Sequence, residues 1–361
     1  MNSDPNGHDT PTASQDSKSR LWIPFILILV CAVAIGFGIR YYKNRPKPMT
    51  EAAWEVYFSE VGAVSSPNSL EKRLVHRLGA ATLRVDAALY DLDAEPVADA
   101  LIEAHNRGVK VRIVTEADNI DDSEIERLQE VGIPVVDDDD NDGLMHHKFI
   151  VIDGRYVWTG SYNTTYNGSY KNNNNVVLID SAQLAYNFTQ EFRELFLAVQ
   201  TGKPSGAFVA YPKVALGDGT EIFTYFSPAD NTISPLLKEI QSAEESIHFM
   251  TFAFTHDALG DAMRDRFKSG IDVRGVFEAK QTNNQYSEYT PMREAGLPVI
   301  LDKSSGAMHH KVIVIDGETV ITGSYNFSKN AEKRNNENLL IIKENREIAA
   351  AYLAEFAKIT Q

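Results

Sequence analysis

The chain has 361 residues, 43% of them apolar and 10% aromatic, which suits a substantial core in one large domain or two of ordinary size. A single cysteine, Cys31, excludes an intrachain disulfide and a cysteine-rich metal site. Net charge is −15, and since residues 1–50 hold six Lys/Arg against three Asp, residues 51–361 carry −18, which argues against broad attraction to nucleic acid or an anionic membrane but leaves room for a local basic cleft.

Residues 1–20, rich in Ser, Asp, Asn, Thr and Pro, read as a disordered tail. Leu21 to Ile39 is an uncharged run of 19 residues between Arg20 and Arg40. As a helix it spans about 28 Å, close to the hydrocarbon thickness of a bilayer. Tyr41 and Tyr42 follow where interfacial aromatics belong, and Lys43, Arg45 and Lys47 come next. The run therefore predicts a single-pass N-terminal membrane anchor, with 40–54 as a juxtamembrane linker. Its alternative is a cleaved signal peptide ending at Ala32-Val33-Ala34, but the polar lead-in is long and carries Asp4, Asp9 and Asp16. Four basic residues after the span against two before it weakly favour a cytoplasmic catalytic side.

Beyond the linker, Ser69–Ala81 reads as a helix with Leu70, Leu74 and Leu78 on one stripe. Thr82–Tyr90 follows as a strand, Pro96–Gly108 as a helix and Val109–Thr115 as a strand. Lys148–Asp153 and Tyr156–Gly160 form a strand pair joined at Asp153-Gly154, a hairpin turn dipeptide. A helix from about Ser181 to Val199 closes this half, and Thr201–Thr220 has the Gly/Pro punctuation of a connector. The second half repeats the order and ends on a helix over Glu347–Ile359.

The repetition is explicit. YFSEVG at Tyr57 returns as YFSPAD at Tyr225, and GVKVRIVTEAD at Gly108 as GIDVRGVFEAK at Gly270. GIPVV at Gly132 returns as GLPVI at Gly296, and MHHKFIVIDGRYVWTGSYN at Met145 as MHHKVIVIDGETVITGSYN at Met308. A period near 163 residues is a duplicated domain rather than a solenoid, with halves at 55–200 and 221–361 around a connector at 201–220. The pattern predicts an α/β fold: a duplicated α/β/α sandwich with mixed sheets, its two repeats related by a pseudo-two-fold axis.

Each repeat carries one constellation: His146, Lys148, Asp153, Ser161 and Asn163 in the first, His309, Lys311, Asp316, Ser324 and Asn326 in the second. Period two puts His and Lys on the same strand face, and sends His147 and His310 to the other face as structural residues. Ser and Asn are likewise two apart, brought alongside by the hairpin. Two halves together would gather two imidazoles, two ammoniums, two hydroxyls and two amides, a cage of donors for a phosphodiester and its transition state. One imidazole can attack phosphorus while the other protonates the departing oxygen. A zinc site is the metal alternative, but no HExxH-type spacing supports one, so no metal or other cofactor is expected. His8, His76, His105, His248 and His256 have no such pattern and read as surface or helix residues.

HxKxxxxD followed by GSxN, present twice, resembles the phospholipase D superfamily, and the likeness extends over about residues 55–360. The resemblance implies paired α/β/α units with the active site between them, a covalent phosphohistidine, and hydrolysis or headgroup exchange without metal. It makes His146 and His309 the nucleophile and acid in some order. Lys148, Lys311, Asn163 and Asn326 would hold phosphate oxygens, with Ser161, Ser324, Asp153 and Asp316 in support. One departure is informative: the second half has the family's post-motif acid at Glu337, whereas the first has Asn174. If each pairs with the His of its own half, Glu337 keeps His309 cationic as the acid and leaves His146 to attack; crossed pairing reverses the roles. The rims differ too, DDDDNDG from Asp137 facing DKSSG from Asp302. The expected substrate and partner is phospholipid in a membrane. Nucleic acid, cut by an anchored endonuclease, is the alternative, and a non-catalytic binding module a third.

Overall fold

The computed structural model describes residues 53–138, 143–201 and 209–361, all within one compact unit, Pro46–Gln361. The expected tail, the 21–39 span and nearly all of the linker lie outside the described residues, as do 139–142 and 202–208. Among the described residues no helix is long and apolar enough to cross a membrane.

The first half runs β1 (Trp54–Phe58), α1 (Leu70–Gly79), β2 (Arg84–Leu89), α2 (Glu95–Asn106), β3 (Lys110–Thr115), α3 (Ser123–Glu130), β4 (Val135–Val136), β5 (Lys148–Ile152), β6 (Tyr156–Gly160), α4 (Tyr166–Tyr170), β7 (Asn175–Asp180) and α5 (Ala182–Thr201). The second runs β8 (Lys213–Ala215), β9 (Glu221–Ser227), α6 (Ile233–Ser242), β10 (Ser246–Thr251), α7 (Asp257–Lys268), β11 (Asp272–Phe277), α8 (Tyr289–Glu294), β12 (Val299–Leu301), β13 (Lys311–Ile315), β14 (Thr319–Gly323), α9 (Lys329–Lys333), β15 (Glu337–Lys343) and α10 (Arg346–Ile359). Ser69 caps α1 by accepting from the Lys72 amide, which sets the predicted leucine stripe against the sheet.

The two sheets have matching orders, β1-β7-β6-β5-β2-β3-β4 and β12-β11-β10-β13-β14-β15-β9-β8. Each is mixed: β2-β3-β4 and β10-β11-β12 are parallel, and the remaining pairs antiparallel. Their central strands are buried on both faces, so alternate residues enter different cores. On β5, Ile150 and Ile152 join the outer core with α1 and α2, whereas Phe149 and Val151 face inward. On β13, Ile313 and Ile315 point outward and Val312 and Val314 inward. The inward residues of both halves share one core with Phe188 and Phe192 of α5 and Ile348 and Tyr352 of α10. Helix α5 packs on its own sheet and reaches β9, while α10 packs on the second sheet and reaches β1. The duplicated sandwich is thus fused through a common middle.

Several elements escape the sequence reading. The expected connector 201–220 contributes β8, because the Gly217-Asp218-Gly219 turn lets Lys213–Ala215 fold back on β9. The repeated Tyr-Phe pairs lie on β1 and β9, which take the matching places beside β7 and β15; β1 is the edge of its sheet, whereas β9 is covered by β8. The short helices α3, α4, α8 and α9 carried too few turns to show a period.

Candidate active site at the seam of the repeats

Each catalytic strand begins by bonding to the other half. Met145 bridges Asn336 and Met308 bridges Asn173, both in parallel. The His146 amide donates to the Asn336 carbonyl at 3.1 Å, and the His309 amide to the Asn173 carbonyl at 2.9 Å. These contacts are reciprocal, as an approximate two-fold axis requires. The chain enters them through Gly143 and Gly306, where an added Cβ would lie 2.1 Å from the Arg334 carbonyl oxygen and 1.7 Å from that of Lys171. Only glycine lets the backbones approach so closely.

The strands then deliver the predicted pairs. The Lys148 ammonium donates to the His146 carbonyl at 2.8 Å and stands 4.7 Å from the centre of the Tyr90 ring. The Lys311 ammonium donates to the His309 carbonyl at 2.9 Å and stands 4.9 Å from the Phe252 ring. Tyr90 and Phe252 also meet the two imidazoles edge-on, at 4.9 and 4.7 Å between centroids. Both lysines are buried, and His146 and His309 are each 8% exposed. Burial pushes Lys148 down to about 7, against the pull of Glu337 and Asp91. Burial, then Lys148, holds Lys311 well below its usual value. Such cations are held in reserve for an anion that would restore their charge.

The post-motif residues cross between halves. His146 Nδ1 lies 2.8 Å from both carboxylate oxygens of Glu337. His309 Nδ1 lies 3.0 Å from Asn174 Oδ1 and 3.0 Å from the Ser161 carbonyl. Of the two pairings the sequence left open, this is the crossed one. The cause is the seam itself, which lays 336–338 against 145–147. Ser161 Oγ donates to Asn174 Oδ1 at 2.9 Å, and Ser324 bonds Glu337 in the matching place. Burial pushes Glu337 up to about 7, with Lys148 and Ser324 opposing. Burial, then Lys148 and Lys311, drives His146 well below its ordinary value; burial and the same two lysines do so for His309. Asn163 and Asn326 keep a buried Oδ1 without a protein partner, amides with an end to spare.

Asp153 and Asp316 do not join this cage. A five-residue strand separates each from its lysine, about 16 Å at the usual rise. Asp153 and Gly154 have φ of 56° and 64°, and Asp316 and Gly317 of 52° and 65°, the primed turn that suits a hairpin. The Asp153 carboxylate accepts from the amides of Thr82, Leu83 and Arg84, and Asp316 from those of Glu244, Glu245 and Ser246. They fasten the far end of the sheet.

Comparison with known proteins fits this geometry. The profile described as cardiolipin synthase, PLD-like domain matches residues 74–196 and again 236–360. The chain belongs to this phospholipase D-like family. A phospholipase D of Rickettsia prowazekii is 31% identical over 149 residues, 41% of this chain and 72% of that protein. The mitochondrial cardiolipin hydrolase of Chlamydomonas reinhardtii is 35% identical over 133 residues, 36% of this chain and 59% of that one. Phosphatidylserine synthase of Haemophilus influenzae shares the fold at a TM-score of 0.63 and 14% identity, over 84% of this chain and 85% of its own. With both motifs intact, this phospholipase D-like chain is a phosphoric diester hydrolase.

Sequence reading missed several residues around that site. Tyr90 and Phe252 wedge the His–Lys pairs. Glu116 and Glu278 accept from the Met145 and Met308 amides, at 2.6 and 2.7 Å. Asn175 and Asn338 bond His310 and His147 across the seam. All occupy matching places in the repeat, so position-by-position comparison of the halves was the signal available.

Proposed function

We propose that the chain hydrolyses, or transfers, a phospholipid headgroup through a phosphohistidine, held at a membrane by residues 21–39. The observation that carries the chemistry is the meeting of two buried imidazole–ammonium pairs at one seam. Lipid is favoured over nucleic acid by the rim beside Lys148. Asp91 there is pushed up to about 6 by burial and by Asp93 and Asp122, against the pull of Lys148, and Asp118 and Asp121 stand nearby. A polyanionic strand crossing that rim meets carboxylates, whereas a zwitterionic headgroup brings its own cation. The names of the relatives above, phospholipase D and mitochondrial cardiolipin hydrolase, point the same way.

The crossed pairing bears on the order of events. Role reversal presupposes an ionised Glu337 holding His146 cationic. With Glu337 pushed up and His146 down, the pair instead holds one proton, on Nδ1, and leaves Nε2 free. His146 Nε2 attacks phosphorus, the P–O bond to the leaving group breaks, and His309, made an imidazolium by a proton taken up together with the anionic substrate, gives that oxygen its Nε2 proton. The phosphorylated ring is cationic, and Glu337 neutralises it, as a carboxylate supports an imidazolium elsewhere. Water then loses a proton to His309, attacks phosphorus and breaks the P–N bond.

The test is parallel turnover of phosphatidylcholine, cardiolipin and single-stranded DNA by the full chain in micelles with EDTA. Phosphatidylcholine should be cleaved fastest. Faster cleavage of DNA would overturn the lipid reading, and activity appearing only with an added divalent ion would overturn the metal-free mechanism. Trapping with a slow substrate and peptide mapping should find phosphate on His146; phosphate on His309 reverses the roles.

A further inference from the structure

The catalytic histidines sit in dipeptides, His146-His147 and His309-His310, and the second member of each faces away from the cage into the shared core. Both are fully buried. His147 Nε2 lies 3.0 Å from Glu191 Oε1 of α5, and its Nδ1 lies 3.2 Å from Asn338 Nδ2 of the other half. His310 Nδ1 lies 2.9 Å from Asn175 Nδ2, again across the seam. The amide orientations are dictated locally. Asn338 Oδ1 accepts from Thr159 Oγ1 at 2.7 Å, and Asn175 Oδ1 accepts from Thr322 Oγ1 at 2.8 Å and the Tyr352 hydroxyl at 3.0 Å. Each Nδ2 must therefore donate to the imidazole, whose Nδ1 accepts and whose proton sits on Nε2. The inner histidines thus hold the opposite tautomer from their catalytic neighbours.

Consecutive residues grip consecutive residues. Glu337 takes His146 on one side of the strand while Asn338 takes His147 on the other, and Asn174 and Asn175 do the same for His309 and His310. One such bond would let the strand entry rotate about its axis. Two on opposite sides, with the backbone bridge between them, remove that freedom. We propose that His147 and His310 are positioning residues, each using its Nδ1 bond to Asn338 or Asn175 to hold the neighbouring catalytic histidine in register with the other half. The inference rests on the reading of His146 and His309 as the reacting pair.

The experiment separates the two nitrogens of His147, using the full chain and bis(p-nitrophenyl) phosphate. His147→Asn keeps an acceptor near the Nδ1 position, and His147→Gln keeps a donor near Nε2. Both lose one buried hydrogen bond and should lose similar Tm. His147→Gln should drop kcat at least tenfold with KM within twofold, while His147→Asn stays within about threefold of wild type. Equal kcat in the two variants, or a loss that tracks Tm alone, overturns the proposal. Should either fail to fold, Thr159 supplies the decision. Thr159→Val removes the hydroxyl that orients Asn338 and should lower kcat several-fold, Thr159→Ser should restore it, and equal rates overturn the inference. A wild type that cleaves no phosphodiester would instead sink the underlying reading of the reacting pair.

Discussion

At the residue scale, the site concentrates charge where water is scarce. His146→Ala and His309→Ala should each lower turnover by roughly a thousandfold, and the double variant should be scarcely worse, because in the proposed mechanism the two imidazoles serve one reaction. Half-activity in each single variant would mean two separate sites. The Lys148 ammonium, pushed down to about 7 from an ordinary 10.5, gives a second expectation. As pH rises through about 7 the free enzyme loses that charge, so kcat/KM should fall on an alkaline limb centred there. Stability runs the other way: the unfolded chain binds more protons between about 7 and 10.5, so folding gains from rising pH in that window. Lys148→Met should therefore raise Tm at pH 6 while abolishing turnover; a lowered Tm would contradict the cost assigned to burying the ammonium. That His146 and Lys148 share one face of the strand was legible from period two. That Glu337 serves His146 was not, since partners 191 residues apart are matched by which faces of the halves dock.

At the element scale, the β5–β6 and β13–β14 hairpins divide their labour lengthwise. One end presents the histidine and lysine, and the other is pinned by an aspartate gathering three backbone amides. Asp153→Ala should cost about 1–3 kcal/mol of stability by leaving those amides without their acceptor. Its kcat should change little, since the far end of the strand sets the cage. Amide bonding holds the Asp153 carboxyl below its ordinary value although burial works against it. Its contribution is therefore complete above the normal carboxylate range and lost as pH falls through the lowered value, so acid should narrow the gap between Asp153→Ala and wild type. Chemical denaturation at pH 7 and pH 3 reads this, and a gap that widens in acid would refute it. The family motif groups this aspartate with the catalytic residues because it spans the strand from end to end.

At the scale of the whole molecule, the shared core of α5 and α10 fuses the two repeats into one unit. A chain starting at Thr50 should be soluble, fold with an unchanged Tm and keep its turnover on bis(p-nitrophenyl) phosphate; retention in the membrane fraction would remove the anchor from the account. Duplication and fold class were plain in the sequence, because a recurrence of MHHK and GSYN carries its own alignment. The bonds to His147 and His310 were hidden, since Asn175, Asn338 and Glu191 resemble ordinary polar residues until the halves meet.

The crossed bonds also fix when activity first exists. His146 is synthesised 191 residues before Glu337, the residue that orients it. At roughly 5–20 residues per second, the nascent chain carries its first motif for about 10–40 seconds without a partner for the imidazole. The first half alone holds one imidazole, one ammonium and no acid to protonate a leaving group. That intermediate lacks half of the cage, which is complete only once β15 has been made and docked. In a cell whose own lipids are the proposed substrate, the arrival of Glu337 beside His146 is what completes the site.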